Sequence, residues 1–122
     1  MTHRLTAFAA LAAVAVGASA GTAPAHANPF LTEYNTPYQI PPFGSIEYSD
    51  YMPALRAGIA QKQQQIRDIT SNPETPTFDN TIMPLERSGE IIDRVAAVFF
   101  ALDESNNSPE MVAIAEEFYP MY

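Results

Sequence analysis

The stretch Glu90-Ile91-Ile92-Asp93-Arg94-Val95-Ala96-Ala97-Val98-Phe99-Phe100-Ala101-Leu102 decides the fold class of this 122-residue chain. An apolar stripe with spacings of three and four residues leads into it and runs through it: Ile82, Leu85, Gly89, Ile92, Ala96 and Phe99. Such spacing is typical of a helix with one buried face. Further apolar residues at Val95, Ala97, Val98 and Phe100 extend the surface almost all round, which is typical of a buried helix. The stretch therefore predicts a helix over about residues 78–102 in an all-α domain larger than a helical hairpin.

Two more helices are predicted on either side of it, giving three antiparallel-type helices. The first covers about residues 50–70, with Ser49 as its cap and Pro53 in its first turn. The third covers residues 108–122 and begins with Ser108-Pro109-Glu110, which is a cap, a proline and an acid in the order that helix starts favour. The start of the middle helix stays open between two caps. Thr77 would place Pro84 in the second turn and kink the helix, whereas Thr81 would place it in the first.

Residues 28–49 form a lead-in that is rich in both proline and aromatic side chains. Proline removes an N–H and favours extended geometry before it, so we expect no long helix here. A disordered linker would be polar and poor in aromatics, which favours a strap laid over a folded surface. The alternative, a ligand for a proline-recognition domain, lacks the P-x-x-P spacing.

The first 27 residues have the order of a secretory signal peptide. Arg4 supplies a positive charge, residues 5–16 are apolar except for one threonine, and Ala25-His26-Ala27 is an A-x-A cleavage site. The predicted cut lies between Ala27 and Asn28, with a weaker site at residues 18–20. A transmembrane anchor would need about 20 apolar residues, and this run is too short. We therefore expect an exported product, periplasmic or secreted, that is free of the membrane after cleavage.

Composition excludes several kinds of function. The net charge is −8, and all 14 acidic residues follow residue 27, so nucleic acid and anionic membranes are not expected partners. The chain has no cysteine, and both of its histidines, His3 and His26, lie in the segment expected to be removed. The mature chain would then lack His-based acid–base chemistry and the usual zinc ligands. We expect no catalytic, cofactor-binding or metal-binding residue within these 122 residues.

The remaining polar groups are interpreted as structural. Glu86, Glu90 and Asp93 lie along one side of the middle helix and could hold a metal, but a solvated face with a Glu90–Arg94 pair is favoured. Residues 116–117 are expected to be solvated too. The serines, at positions 45, 49, 88, 105 and 108, have no general base and are expected in caps and turns. Gly58 and Gly89 lower helix propensity, which indicates a close crossing of helices.

Several strings of sequence resemble one known family. They are Asn28-Pro29-Phe30, Asp50-Tyr51-Met52-Pro53-Ala54, the run 72–82 containing Pro76-Thr77-Phe78-Asp79-Asn80-Thr81, Leu85-Glu86-Arg87-Ser88-Gly89-Glu90 and Val98-Phe99-Phe100-Ala101-Leu102. In this order they are similar to the amino-terminal region of bacterial peptidyl-dipeptidases, relatives of thimet oligopeptidase and oligopeptidase A. The resemblance covers about residues 28 to 102, and Pro84 departs from the family's usual residue at its position, which leaves the start of the middle helix open.

The resemblance implies a nearly all-α zinc metallopeptidase, several times longer than this chain, that acts on short peptides. Its metal lies on a helix with an H-E-x-x-H motif, in which the histidines bind zinc and the glutamate activates water. That motif does not occur in residues 1–122, so no catalytic or metal residue is carried over. The resemblance further implies that the amino-terminal helices wall a deep channel that admits only small peptides.

We therefore expect the leading part of an exported peptidyl-dipeptidase, inactive alone, whose partners are short peptides and the remainder of the same fold. The aromatic residues up to Tyr122, without a glycine cap or polar tail, are interpreted as a cut. The alternative is a complete, small, acidic, exported binding protein that holds a partner through the lead-in and third helix. A peptidase inhibitor or chaperone derived from the family is not separable from these by sequence.

Overall fold

A computed structural model describes residues 26–105 and 108–122, and within these ranges the regular secondary structure is entirely helical, as predicted. Helix α1 spans Tyr48–Thr70, α2 spans Met83–Glu86, α3 spans Glu90–Asp103 and α4 spans Pro109–Met121. A wide π-helical turn, Phe78–Ile82, leads directly into α2. The three predicted helical regions therefore correspond to α1, to the turn with α2 and α3, and to α4.

The lead-in contains three single 3-10 turns, Pro29–Leu31, Pro37–Gln39 and Phe43–Ser45, separated by extended residues. Its anchor is Phe30, whose side chain is fully buried in the core. The Asn28 side chain caps the first turn by accepting the Phe30 N–H at 3.0 Å. From the other side, an Arg94 guanidinium N–H donates to the Phe30 carbonyl at 2.8 Å. This part of the lead-in is thus held as a strap against α1 and α3, although its division from the rest as a domain stays a prediction.

Helix α1 begins two residues earlier than expected, so the predicted Ser49 cap is wrong. Glu47 is the N-cap, and its side chain and that of Asp50 each accept the other's backbone N–H in a capping box. The earlier start moves Pro53 beyond the first turn, where it lacks the N–H that would reach the Ser49 carbonyl. The capping box offsets part of that loss at the same end of the helix.

The middle helical region is divided where the sequence suggested one continuous helix. Thr77 is the cap, since its hydroxyl accepts the Asn80 N–H at 3.1 Å. The chain then takes a wide turn in which the Met83 N–H donates to the Phe78 carbonyl, five residues back. A wider turn is one way to accommodate the ring of Pro84, which would clash with a carbonyl in a regular helix. A second break follows at Gly89, whose φ of 91° is left-handed.

Helix α4 starts as the sequence predicts. Ser108 is its cap and accepts the Met111 N–H at 3.2 Å, and Pro109 is the first helical residue. Met111 and Phe118 are fully buried and fix α4 to the core. The Ser108 hydroxyl also donates to the Tyr48 hydroxyl at 3.2 Å, which ties the start of α4 to the start of α1.

The core is a ladder of aromatic rings that crosses the helices. Ring centroids lie 5.2 Å apart for Phe30 and Tyr51, 6.1 Å for Tyr51 and Phe99, and 4.0 Å for Phe99 and Phe118. Aromatic pairs about 4.5–7 Å apart, such as the first two, are favourable beyond the area they bury, and the Phe99 and Phe118 rings stack at closer range. Because each ring comes from a different element, the ladder joins the strap, α1, α3 and α4.

Gly58 lies where α1 crosses α3, as its position in the apolar stripe predicted. A methyl group added there would come within 2.9 Å of Ile92 Cγ1 and 3.0 Å of the Ile92 backbone nitrogen. The absence of a side chain at this position is therefore what allows the two helices to approach so closely.

The predicted signal peptide falls almost wholly outside the described residues, since only residues 26 and 27 of it are placed. The proposed cut between Ala27 and Asn28 stays a prediction. Across residues 26–105 and 108–122, none of the helices has the length and apolar character that a membrane crossing requires.

Candidate functional surface

The string at residues 76–81 builds a polar cap. The Thr77 backbone N–H donates to Asn80 Oδ1 at 2.7 Å, and the Asn80 N–H returns a bond to the Thr77 hydroxyl. Asn80 Nδ2 also donates to the Thr75 carbonyl at 3.0 Å, and the Thr81 hydroxyl donates to Asn80 Oδ1 at 2.8 Å. Asn80 thus organises the whole segment, and the chemistry of this string is that of a helix start.

The string at residues 86–89 builds a tight turn. The buried Ser88 hydroxyl donates to the Leu85 carbonyl at 2.7 Å, and the Gly89 N–H donates to Gln65 Oε1 of α1 at 3.1 Å. A methyl group at Gly89 would meet the aliphatic part of Lys62 at 3.0 Å. The turn therefore fixes α2 and the start of α3 against the second half of α1.

The region from the first string to the second exposes three apolar side chains, which we call the Phe78 ridge: Phe78, Ile82 and Leu85, with exposed fractions of 63%, 43% and 49%. Beside the ridge lies an open groove of about 470 Å³ between α1 and α2, whose wall includes Ile69 and Pro84. Large apolar side chains grouped at a surface mark contact sites more often than scattered ones do. The ridge is the first candidate for a docking surface.

A second group, the C-terminal aromatic cluster, comprises the buried Phe118, the half-buried Phe100 and the exposed Tyr119 and Tyr122. The Tyr122 ring lies 5.3 Å from that of Phe100 and 5.7 Å from that of the buried Phe118. Tyr119 and Tyr122 are 54% and 60% exposed. The cluster thus continues the core ladder outward to the surface of α4.

The predicted carboxylate group does not form a metal site. Glu86, Glu90 and Asp93 are all exposed, and the described residues contain no group of three or more His, Cys, Asp or Glu side chains arranged to hold a metal ion. The expected Glu90–Arg94 ion pair is wrong, because Arg94 donates to the Phe30 carbonyl and lies over the Tyr34 ring, 5.5 Å from its centroid. Arg94 thus bonds to the Phe30 carbonyl, which is distant in sequence, and not to Glu90 on its own helix.

Tyr34 has an unusual environment beside Arg94. Its hydroxyl is buried and has no hydrogen-bond partner among the described residues. Burial raises the pKa of this phenol, and the Arg94 charge lowers it in part. The neutral form is therefore favoured, which suits a packing role under the strap.

The other polar residues have structural partners or face solvent. Glu117 pairs with Arg56 of α1 at 2.7 Å, with both side chains exposed. Ser108 is a cap, whereas the Ser105 hydroxyl donates to the Ala101 carbonyl at 2.7 Å. The Ser49 hydroxyl donates to Glu47 Oε2 at 3.4 Å on the exposed start of α1, and the Ser88 hydroxyl donates to a backbone carbonyl.

Sequence reasoning missed a charged contact at the start of α1. His26 Nε2 lies 3.0 Å from both carboxylate oxygens of Asp50, and its Nδ1 lies 3.8 Å from Glu47. The hydrogen bond to Asp50 raises the pKa of His26, an effect that desolvation opposes in part. The Asp50 side chain is only 4% exposed. The sequence signal was an acid at the third position of a capping box, but nothing local pointed to His26.

Comparison with known proteins gives the same family as the strings. No family model matches the chain. The dipeptidyl carboxypeptidase of Escherichia coli K12 is 42% identical over 91 residues, and that of Salmonella typhimurium LT2 is 38% identical over the same length; each match covers 75% of this chain and 13% of the relative. The oligopeptidase A of Salmonella typhimurium is 23% identical over 94 residues, or 77% of this chain and 13% of that protein.

These matches confirm the resemblance drawn from the strings at residues 28–102. The chain spans about an eighth of the length of these relatives, as the 13% coverage shows. Over 91 residues the chain is a homologue of the dipeptidyl carboxypeptidases, and over 94 residues it is a homologue of oligopeptidase A; both are peptidases.

Proposed function

We propose that this chain serves as the amino-terminal helical part of an exported zinc peptidase that removes dipeptides from the carboxyl end of short peptides. The observation that carries the proposal is the 42% identity to a dipeptidyl carboxypeptidase along 91 residues. Identity at this level over three helical regions supports a shared architecture. The signal-like order of residues 1–27 supports export.

The described residues do not fit the zinc site that such an enzyme needs, since they offer no cluster of metal-binding side chains. We therefore assign the metal and the water that it activates to residues outside this chain. The role that we assign to α1–α4 is to form a wall of the substrate channel. This wall would dock on the catalytic part, exclude solvent and admit only small peptides.

The Phe78 ridge and the C-terminal aromatic cluster are suited to that docking. Covering one large apolar side chain contributes about 1.5–3 kcal/mol, so even a partly exposed ridge of three supplies several kcal/mol. Its side chains are held by a capped turn on one side and the Gly89 turn on the other. A preorganised apolar ridge loses little entropy when it is covered.

Complementation tests the proposal directly. The Escherichia coli dipeptidyl carboxypeptidase is produced without its 91 matching residues and co-expressed with the full chain, and dipeptide release from a short peptide is measured. We expect the chain to restore release at least tenfold and chelator to abolish it. Leu85→Asp on the ridge should reduce the recovery, whereas Val112→Asp, at a similarly exposed site on α4, should not.

Release that stays at background with the unaltered chain would refute docking. The catalytic assignment has its own test in the coding sequence that follows Tyr122. A continuation without an H-E-x-x-H motif would remove the enzyme proposal. Peptidase activity from the purified chain alone, insensitive to chelator, would contradict the assignment of the metal to residues elsewhere.

One observation favours the rival proposal of a self-sufficient binding protein. The core is continuous from Phe30 to Phe118, with ten fully or nearly fully buried apolar side chains. Thermal unfolding of the full chain with a dye for exposed apolar surface separates the two. A single sharp transition with little dye binding would support the rival, whereas strong dye binding before unfolding would support an uncovered docking surface.

A further inference from the structure

The Asp50 carboxyl group is buried and pairs with an imidazole from the segment before the lead-in. Its side chain is 4% exposed, and one oxygen accepts the Glu47 N–H at 2.8 Å within the capping box. A buried carboxylate is costly unless it is paired. In the described structure the imidazole of His26 lies 3.0 Å from both oxygens, and it supplies a positive charge when the ring is protonated.

Residues 28–30 hold their place beside Asp50 by contacts that do not involve His26. Asn28 Nδ2 donates to the Asp50 backbone carbonyl at 2.8 Å, and its Oδ1 accepts the Phe30 N–H. Phe30 is buried, and Arg94 holds its carbonyl from α3. The Asn28 residue is therefore held next to Asp50 through its side chain.

We propose that Asp50 is a receptor for the chain's new amino terminus: cleavage between Ala27 and Asn28 removes His26, and the α-ammonium of Asn28 takes its place at the carboxylate. The proposal rests on the proposed export. In the cleavage, water adds across the Ala27–Asn28 amide and the C–N bond breaks. The carboxylate leaves with Ala27, and the amine that remains on Asn28 is protonated.

The charges around Asp50 favour this exchange. Glu47, which lies 3.8 Å from His26, adds a second negative charge on the exposed side of the same helix start. From α3, Arg94 is engaged by the Phe30 carbonyl and the Tyr34 ring, while Glu90 and Asp93 line the same groove as Glu33 and Tyr34 of the strap. A positive group at Asn28 thus meets two carboxylates, and Asp50 keeps a buried charge pair after processing.

The test begins with the mass and the amino-terminal residue of the full chain after expression with export. A chain that starts at Asn28 permits the exchange. A cut at the weaker site, residues 18–20, would overturn the exchange but leave the export proposal standing. An uncut, cytoplasmic chain would overturn both.

The second measurement is the pKa of the Asn28 α-ammonium in the processed chain, followed by NMR. An ordinary α-amino group titrates at about 7.7–8.0, and we expect a value raised by about one pH unit. Asp50→Asn should return it to the ordinary range. Asp68→Asn, an exposed acid in the last part of the same helix, should leave it raised. An α-amino pKa that is equal in the three proteins overturns the proposal.

If Asp50→Asn fails to fold, selective acetylation of the α-amino group in the processed, unsubstituted chain answers the same question. Acetylation removes the charge and keeps every side chain. We expect the acetylated chain to unfold at lower temperature than the unmodified one. Equal unfolding temperatures overturn the proposal.

Discussion

Replacing Gly58 with alanine tests whether the close crossing of α1 and α3 sets the stability of the fold. The added carbon would lie 2.9 Å from Ile92 Cγ1, 3.0 Å from the Ile92 backbone nitrogen and 3.1 Å from Ile91 Cγ2. Alanine gains about 1 kcal/mol over glycine in helix propensity, whereas an overpacked core costs about 1–3 kcal/mol. The Ile92 nitrogen is a backbone atom and can move only if all of α3 moves. We therefore take the upper end of the overpacking cost, about 3 kcal/mol. The net loss is then about 1–2 kcal/mol.

Urea and thermal unfolding of the full chain, followed by the helical circular dichroism signal, measure that loss. A change of this size lowers the melting temperature by about 5–15 °C in a domain of this length. Gly44→Ala is the matched control, since nothing lies within 4 Å of the added carbon. It should be neutral or slightly stabilising. If the Gly58→Ala chain melts at or above the control, the crossing is not tight and the reasoning fails.

Three further predictions concern other parts of the fold. Gly89→Ala should lower the free energy of unfolding in urea by about 1–2 kcal/mol, because φ at Gly89 is 91° and the left-handed region disfavours a side chain. Gly89→Asn should lower it less. Equal stabilities of the Ala and Asn variants would contradict this prediction. Burial raises the pKa of Tyr51 to about 12. Its phenol then ionises first in the unfolded chain, so stability should fall as the pH rises from about 10 to 12; Tyr51→Phe should flatten this fall, and an unchanged pH profile would count against it. Arg94→Ala removes the hydrogen bond to the Phe30 carbonyl and the contact with the Tyr34 ring. We therefore expect limited proteolysis to cut the lead-in several-fold faster. An unchanged rate of cleavage would show that Phe30 alone anchors the lead-in.

Local sequence rules predicted the elements whose causes are local. Ser108-Pro109 starts α4 because a hydroxyl cap and a proline act within one turn. Gly58 was predicted to lie at a helix crossing because it falls in the apolar stripe of α1. Glycine lowers helix propensity, so its presence there indicated a close approach that leaves no room for a side chain. The strings that carry the family resemblance are also local. Two of them form a cap around Asn80 and a turn at Gly89, and the residues of each lie close together in sequence.

The features that sequence missed depend on partners distant in the chain or on backbone angles. The apolar spacing continues smoothly through Gly89, so periodicity alone gave no sign of its positive φ. Arg94 has a suitable acid one turn earlier, yet it bonds to Phe30, 64 residues away in sequence. The partnership of His26 with Asp50 was hidden for another reason, since His26 was set aside with the segment expected to be removed.

The aromatic ladder has a consequence for how this chain comes into being. Its first ring, Phe30, and its last, Phe118, stand near opposite ends of the described sequence, yet both are fully buried in one core. A chain growing from the ribosome lacks the last ring of the ladder until Phe118 has been added, and contacts that span so much sequence form late. The segment from Phe30 to Phe118 therefore cannot complete its core before Phe118 has been synthesised.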